Sequence, residues 1–163
     1  MENVSIMSTM ASPHQLSFDP DLIRRYDKSG PRYTSYPTAV QFHMGFTETE
    51  YREQGKQSNK KPTQRPLSLY FHLPFCDTVC FYCACNKVVT KDRKRASSYL
   101  ERLHREIALQ AELFDRSRIV EQLHWGGGTP TFISHEEMRT LMEVTRKHFR
   151  LRDDDKGEYG IEV

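Results

Sequence analysis

Alternating apolar and polar residues predict the first strand of this chain. Between residues 67 and 73 every second side chain is leucine or phenylalanine, and the residues between them are serine, tyrosine and histidine. A period of two is typical of a half-buried strand, and Pro74 ends it. A second strand is predicted for residues 120–125, which lead into the glycines 126–128. Residues 161–163 look like the opening of a third strand.

Between these strands, apolar residues recur at steps of three and four, as expected for helices that bury one face. Ser98 with Glu101 has the spacing of a capping box at the start of the first helix, and Ser134 with Glu137 has it at the start of the second. The alternation of strands and helices predicts a parallel α/β sheet. The predicted inner faces are Leu100, Leu103, Ile107, Ala111 and Phe114 in the first helix, and Met138, Leu141, Met142, Thr145 and Phe149 in the second.

The rest of the chain predicts three regions. Residues 1–20 follow no period, so we expect a flexible N-terminal extension. Residues 21–66 form a segment that ends in a polar connector at residues 55–66, and residues 67–163 carry the α/β pattern. A closed α/β barrel typically takes at least ~200 residues, and the pattern stops inside a strand. We therefore expect the N-terminal part of a larger protein.

Composition narrows the choice of partners. The chain has 24 basic and 22 acidic residues and a net charge of +2, so charge gives no support for nucleic-acid binding. The one dense basic stretch, residues 91–95, is predicted to be a solvated connection before a helix. No segment approaches the ~18 apolar residues of a membrane span, and residues 1–20 lack the order of a secretory signal. We expect a cytoplasmic protein without a membrane span.

All four cysteines lie within ten residues, in the order Cys76-x3-Cys80-x2-Cys83-x-Cys85. Closely spaced thiolates on one loop are typical of iron–sulfur clusters, and three ligands would leave one iron of a four-iron cluster open to substrate. A zinc site is an alternative, although its usual pairs have the spacing C-x2-C with a second pair farther along. Four unrelated thiols are the other alternative. The spacing alone does not choose the three ligands.

The three glycines after the second strand predict a turn without side chains. A ligand could approach backbone N–H groups there, because no Cβ atom stands in the way. The alternative is a tight turn with no ligand.

A triple cysteine at the end of a first strand, followed by a glycine turn, resembles the radical S-adenosylmethionine enzymes. Within that superfamily the chain is similar to the oxygen-independent coproporphyrinogen III oxidase family, and order and spacing are kept over roughly residues 25–163. The segments that carry the resemblance are residues 31–39, 67–70, 83–87, 124–131 and 161–163.

The resemblance implies a partial (β/α) radical SAM barrel, of which this chain supplies about three βα units. An irregular N-terminal segment lies near the barrel mouth, and a C-terminal domain follows. The implied function is oxygen-independent oxidative decarboxylation of coproporphyrinogen III to protoporphyrinogen IX in haem biosynthesis, by a 5′-deoxyadenosyl radical. It requires a 4Fe-4S cluster, S-adenosylmethionine and an electron donor, and we expect this chain alone to be inactive.

A radical SAM haem chaperone without oxidase activity is the alternative. Cys85 and residues 31–39 argue against it, because that related group tends to lack both.

The resemblance also implies roles for single residues. Cys76, Cys80 and Cys83 would bind the cluster, and Cys85 would lie beside it without binding iron. The positions that match S-adenosylmethionine contacts are Tyr70, Tyr82, Gly127, Gly128, Thr129 and Glu162. The family often has phenylalanine in place of Tyr82, which should not matter if the contact is made by backbone or ring face.

Some roles stay open at this point. By pattern alone Glu162 is an ordinary exposed strand residue. Tyr70 shares a strand face with His72, which could be the inner face of a barrel or a site of simple packing. The roles of His72 and His124 are undecided. Arg32 is a hypothetical contact to a substrate propionate, with a local turn-stabilising role as the alternative.

Overall fold

The computed structural model describes four stretches of the chain, residues 18–28, 38–60, 65–81 and 83–163. The chain divides into two compact units, residues 1–43 and residues 44–163. No helix within the four stretches is long and apolar enough to cross a membrane.

Within residues 18–28 and 38–43, the first unit contains one short helix, α1 (Pro20–Tyr26), and a 3₁₀ turn (Ala39–Gln41). Proline stands in the first turn of α1, and the Asp19 carboxylate caps the helix by accepting from the backbone N–H groups of Asp21 and Leu22 at 3.0 Å. Most of the predicted N-terminal extension and Arg32 lie outside the described residues.

The second unit is an α/β structure whose sheet is parallel throughout. Its helices and strands are, in chain order, α2 (Glu48–Gln57), β1 (Leu67–Leu73), β2 (Phe75–Cys76), β3 (Val88–Val89), α3 (Arg95–Ala111), β4 (Ile119–Gly127), α4 (His135–His148), β5 (Arg150–Leu151) and β6 (Glu158–Ile161).

Strand β4 is the centre of the main sheet. One edge of β4 pairs with β1, and the other edge pairs first with β5 and then with β6. The first two predicted strands are confirmed, whereas the third begins earlier than expected, at Glu158, and ends at Ile161. The two-residue strands were not predicted, because two residues are too few to show a period.

The two faces of the sheet differ in chemistry. On one face Phe71, Leu73 and Trp125 are buried in a single core with the inner faces of α3 and α4. The opposite face is polar: Tyr70 lies directly across from His124 in the register, and Tyr70 is 56% exposed. Parallel sheets are usually covered on both faces, so an exposed polar face on this sheet indicates a binding or catalytic surface.

Helix α3 begins four residues before the predicted start, with its N-cap at Lys94 in place of Ser98. Lys94 occupies the N-cap without a side-chain hydrogen bond, so the predicted Ser98–Glu101 capping box is wrong. Ala96 is fully buried and lies one turn before Leu100, which extends the apolar face of the helix backwards. The basic stretch at residues 91–95 therefore includes the start of the helix as well as the connection before it.

Helix α4 agrees with the prediction. The Ser134 hydroxyl accepts from the Glu137 backbone N–H at 3.2 Å, and the Glu137 carboxylate accepts from the Ser134 N–H at 2.8 Å. Leu141 and Thr145 are fully buried. The predicted capping box and inner face of this helix are confirmed.

Helix α2 was not predicted from the sequence, because Tyr51 is its one large apolar residue. Helix α2 is held by a hydrogen bond and a close packing contact. The Tyr51 hydroxyl donates to Gln110 Oε1 at 2.6 Å. Gly55 is buried against Leu113, where an added Cβ would lie 3.3 Å from the Leu113 Cβ. These contacts dock α2 on the end of α3.

Arg118 holds the chain that follows α2 against the start of β4. Its side chain is almost fully buried. It donates to the Arg65 carbonyl at 2.9 Å, the Ser58 hydroxyl at 2.8 Å and the Asn59 side-chain oxygen at 3.0 Å. A guanidinium can remain charged when buried if its N–H groups find such acceptors.

Candidate functional site

The predicted site residues converge where the parallel strands end. The backbone N–H of Gly128 donates to the Leu73 carbonyl at 2.8 Å, and that of Thr129 donates to the Phe75 carbonyl at 2.7 Å. These two bonds join the glycine turn after β4 to the start of the cysteine loop after β1. Carboxyl ends of parallel strands are the usual place for α/β active sites.

Each of the three glycines makes room for a different group of the protein. A Cβ on Gly126 would lie 2.9 Å from the Glu162 carboxylate, and one on Gly127 would lie 2.5 Å from the His72 ring. A Cβ on Gly128 would lie 2.6 Å from the Phe75 carbonyl oxygen. Gly127 also has φ +111°, which side-chain-bearing residues rarely adopt. The packing of the chain around this turn therefore requires glycine at all three positions.

His72 links β1 to the far end of the cysteine loop. Its Nε2 lies 2.8 Å from the Asn86 carbonyl oxygen, and its Nδ1 lies 3.2 Å from the Tyr70 hydroxyl. Because a carbonyl only accepts, Nε2 is the donor to Asn86, and an unprotonated Nδ1 would accept from the Tyr70 hydroxyl. Burial, followed by the Glu162 carboxylate and Cys85, raises the pKa of Tyr70, which keeps its hydroxyl protonated as that donor.

Glu162 lies one residue beyond β6 and turns toward the same polar face. Its Oε1 is 3.2 Å from His124 Nε2, and its Oε2 accepts from the Gly127 N–H at 3.1 Å. The hydrogen bond from His124, followed by that from Gly127, lowers the pKa of Glu162. The carboxylate is thus ionised and half-exposed, with room for a further partner.

The ring of His124 stacks on the ring of Tyr70, with centroids 5.9 Å apart and planes 10° apart. Tyr70, His72, His124 and Glu162 therefore form one contiguous group, which we call the polar cluster. The roles of His72 and His124 were undecided from the sequence. In the structure His72 contacts Tyr70 and the Asn86 carbonyl, and His124 contacts Tyr70 and Glu162. Strand alternation alone predicted an ordinary exposed residue at Glu162 and gave no sign of its hydrogen bonds.

The four cysteines of the loop after β1 differ in burial. Cys76 is buried in β2, and its sulfur accepts from the Thr129 hydroxyl at 3.9 Å. Cys80 and Cys85 are exposed, Cys83 is half-buried, and all four thiols are free. Among the described side chains, no three His, Cys, Asp or Glu residues are already gathered closely enough to hold a metal ion.

Cys83 and Cys85 have opposite acid–base tendencies. The Cys85 backbone N–H lowers the pKa of the Cys83 thiol, with help from the Lys87 ammonium. Burial and the neighbouring Cys83 raise the pKa of the Cys85 thiol. Since the thiolate is the form that binds metals, Cys83 becomes a competent ligand at a lower pH than Cys85.

Arg93 anchors the first turn of the loop, which the sequence did not predict. Its guanidinium pairs with Asp77 at 2.8 Å, donates to the Phe132 carbonyl at 3.1 Å and lies 4.0 Å over the Phe132 ring. Phe132 stacks in turn on Phe75, which precedes Cys76, with ring centroids 5.3 Å apart. No sequence signal distinguished Arg93 from the basic residues around it.

The structure brings most of the predicted S-adenosylmethionine contacts to one place. Tyr70, Gly127 and Glu162 belong to or touch the polar cluster, while Gly128 and Thr129 bond to the cysteine loop. Tyr82 lies outside the described residues.

No family model matches the chain. An oxygen-independent coproporphyrinogen III oxidase of Mannheimia haemolytica is 42% identical over 149 residues, which cover 91% of this chain and 97% of that protein. The chain belongs to the oxygen-independent coproporphyrinogen III oxidase family.

Two longer members of the coproporphyrinogen III oxidase family extend the comparison. The Pseudomonas aeruginosa protein is 56% identical over 148 residues, and the Escherichia coli protein is 45% identical over 152 residues. The matches cover 91% and 93% of this chain and 32% of each relative. The chain therefore spans about a third of the length of these relatives.

A solved structure agrees with the fold. Coproporphyrinogen III oxidase from Escherichia coli, described as a radical SAM enzyme, superposes with a TM-score of 0.75 at 42% identity, over 91% of this chain and 31% of that one. The prediction that this chain forms the N-terminal part of a radical SAM barrel is confirmed.

Proposed function

We propose that this chain supplies the cluster- and cofactor-binding part of an oxygen-independent coproporphyrinogen III oxidase. One observation carries the proposal: a loop with four free thiols and an ionised, half-exposed carboxylate meet at the same end of the parallel sheet, joined by the glycine turn. The relatives named above supply the reaction, because each is described as a coproporphyrinogen III oxidase.

The thiols fit a 4Fe-4S cluster in number and chemistry. The family resemblance implies that Cys76, Cys80 and Cys83 would hold it, and all three are free and lie on one short loop. Cys76 is fixed by β2 and Thr129, whereas Cys80 and Cys83 lie outside any helix or strand. Because no three described ligand side chains are already gathered, cluster binding would have to bring the three sulfurs together. By the family resemblance, Cys85 would lie beside the cluster without binding iron.

The polar cluster fits the S-adenosylmethionine contacts that the family resemblance implies. Glu162 offers a carboxylate for hydroxyl or ammonium donors, and Tyr70 offers a ring and a hydroxyl. The glycine turn offers backbone at close range. We include Gly127, Gly128, Thr129 and Tyr82 in this site.

Held by Cys76, Cys80 and Cys83, the cluster would supply the electron for reductive cleavage of S-adenosylmethionine, and the cleaved cofactor would take a hydrogen atom from the substrate. Each of two propionate groups of coproporphyrinogen III would then lose carbon dioxide and pass one electron to an acceptor, leaving a vinyl group. The residues of this chain would bind and orient the reactants. Arg32 is our proposed contact to a substrate propionate.

The test is an anaerobic assay of the natural polypeptide that carries this sequence, at its full length, after cluster reconstitution. Supplied with S-adenosylmethionine, a one-electron reductant and coproporphyrinogen III, it should release 5′-deoxyadenosine and protoporphyrinogen IX. Deoxyadenosine without protoporphyrinogen would favour the haem-chaperone alternative. If neither 5′-deoxyadenosine nor protoporphyrinogen IX were released, the enzyme proposal would be contradicted. The 163-residue chain alone should give no protoporphyrinogen.

A further inference from the structure

His124 contacts the two members of the polar cluster that are proposed cofactor contacts, Tyr70 and Glu162. Its Nε2 meets Glu162 at 3.2 Å, and its ring stacks on Tyr70. We infer that His124 is a positioning residue, which fixes the Glu162 carboxylate in the orientation that receives S-adenosylmethionine. This inference rests on the proposed function.

The His124 ring is itself held in place. Tyr70 covers one face of the ring from the neighbouring strand, where the two residues are paired in the register. Gly160 is its register partner on the other neighbour, β6, and a Cβ there would lie 3.1 Å from His124 Nδ1. That approach is tighter than an ordinary van der Waals contact, so a glycine at position 160 gives the imidazole the room it uses.

Glu162 needs this support because its other anchors leave its side chain free to turn. Its backbone N–H donates to the Trp125 carbonyl at 2.9 Å, which fixes the main chain only. The Gly127 N–H holds one carboxylate oxygen, and about half of the side chain is exposed. Without His124 the carboxylate keeps a single side-chain bond and can rotate about it. The cofactor would then have to order the carboxylate as it binds, at a cost in affinity.

The chain offers a matched control two residues earlier on the same strand. Gln122 Nε2 donates to the Glu158 carboxylate at 2.7 Å, on the same polar face and between the same two strands. This pair is exposed like His124 and Glu162, but its two residues lie directly opposite each other in the register and farther from the glycine turn. Gln122→Ala therefore removes a similar bond without reaching the proposed cofactor site.

The experiment measures the dissociation constant of S-adenosylmethionine by equilibrium dialysis, using the natural polypeptide with its cluster reconstituted anaerobically. His124→Phe keeps a stacking ring and removes the donor, so affinity should fall by up to about tenfold, the cost of ordering one side chain on binding. His124→Gln keeps a donor and should stay within about threefold of wild type. Gln122→Ala should bind as wild type does.

Gly160→Ala provides a second, independent perturbation, because it crowds the His124 ring without removing it. Affinity should fall in this variant too, while iron per chain stays at the wild-type value in all variants. Unchanged affinity in both His124→Phe and Gly160→Ala, with Glu162→Gln weakened, would overturn the inference and leave the proposed function standing. A wild-type protein that holds a cluster but binds no S-adenosylmethionine would overturn both.

Discussion

Replacing Gly127 by alanine tests how the glycine turn is built. Gly127 has φ +111°, and an added Cβ would lie 2.5 Å from Cε1 of His72 and 2.6 Å from its Nδ1. The alanine variant must therefore strain its backbone in either case, and must also compress the ring or push His72 away. A displaced His72 would lose its contacts to Tyr70 and to the Asn86 carbonyl.

The two effects set the size of the loss. A backbone held in a glycine-only region costs about 1–3 kcal/mol, and overpacking against a fixed ring costs about 1–3 kcal/mol. If His72 moves instead, the lost hydrogen bonds cost about 1 kcal/mol each. We therefore expect Gly127→Ala to lower the free energy of unfolding by about 2–6 kcal/mol.

Urea unfolding followed by tryptophan fluorescence measures this loss directly, because the single tryptophan, Trp125, is buried two residues away. Gly55→Ala is the control. Its Cβ would lie 3.3 Å from Leu113, and the gain in helix propensity of about 1 kcal/mol offsets that crowding. The control should stay within about 1 kcal/mol of wild type. A Gly127→Ala variant as stable as Gly55→Ala would refute this account of the turn.

Three further substitutions have definite expected outcomes. Ser134→Ala should lower the free energy of unfolding by about 1 kcal/mol in urea titrations, and Ser98→Ala by less than half of that, because only Ser134 caps a helix; equal losses would contradict the assigned helix start. Arg118→Met should cost about 2–4 kcal/mol by the same measurement, since it removes three hydrogen bonds that the buried guanidinium donates to half-buried or exposed acceptors; a loss below about 1 kcal/mol would mean that water replaces the guanidinium. Arg93→Gln should change stability by less than about 1 kcal/mol, because its ion pair with Asp77 is half-exposed. After reconstitution it should lose iron to a chelator faster than wild type, and an unchanged rate would show that the cysteine loop does not need this anchor.

The sequence predicts those parts of the fold that rest on apolar periodicity. Strand β1 and helix α4 were both expected, because alternation and a capping box are visible without knowing any partner. Helix α2 was missed because its docking depends on Tyr51, Gly55 and polar groups rather than on an apolar stripe. The start of α3 was misplaced because one buried alanine, Ala96, extends the inner face by a turn that lacks a capping residue.

For the candidate site, residue types were predictable and their partners were not. The cysteines and the glycine turn are visible as motifs. The pairing of His124 with Glu162 depends on the register between β4 and β6, which are separated by helix α4 in the chain. The reason for each glycine depends on which side chain enters the space it leaves, and His72 comes from a different strand. Neither fact has a local signature in the sequence.

The central claim is that three of the four clustered cysteines bind an iron–sulfur cluster and the fourth does not. The most direct measurement is the iron content of the chain after anaerobic reconstitution, in the wild type and in four single Cys→Ala variants. Wild type and Cys85→Ala should each hold about four irons per chain, whereas replacement of Cys76, Cys80 or Cys83 should abolish stable binding. Loss of iron in Cys85→Ala equal to that in the other three, or a full cluster in any of those three, would contradict the assignment.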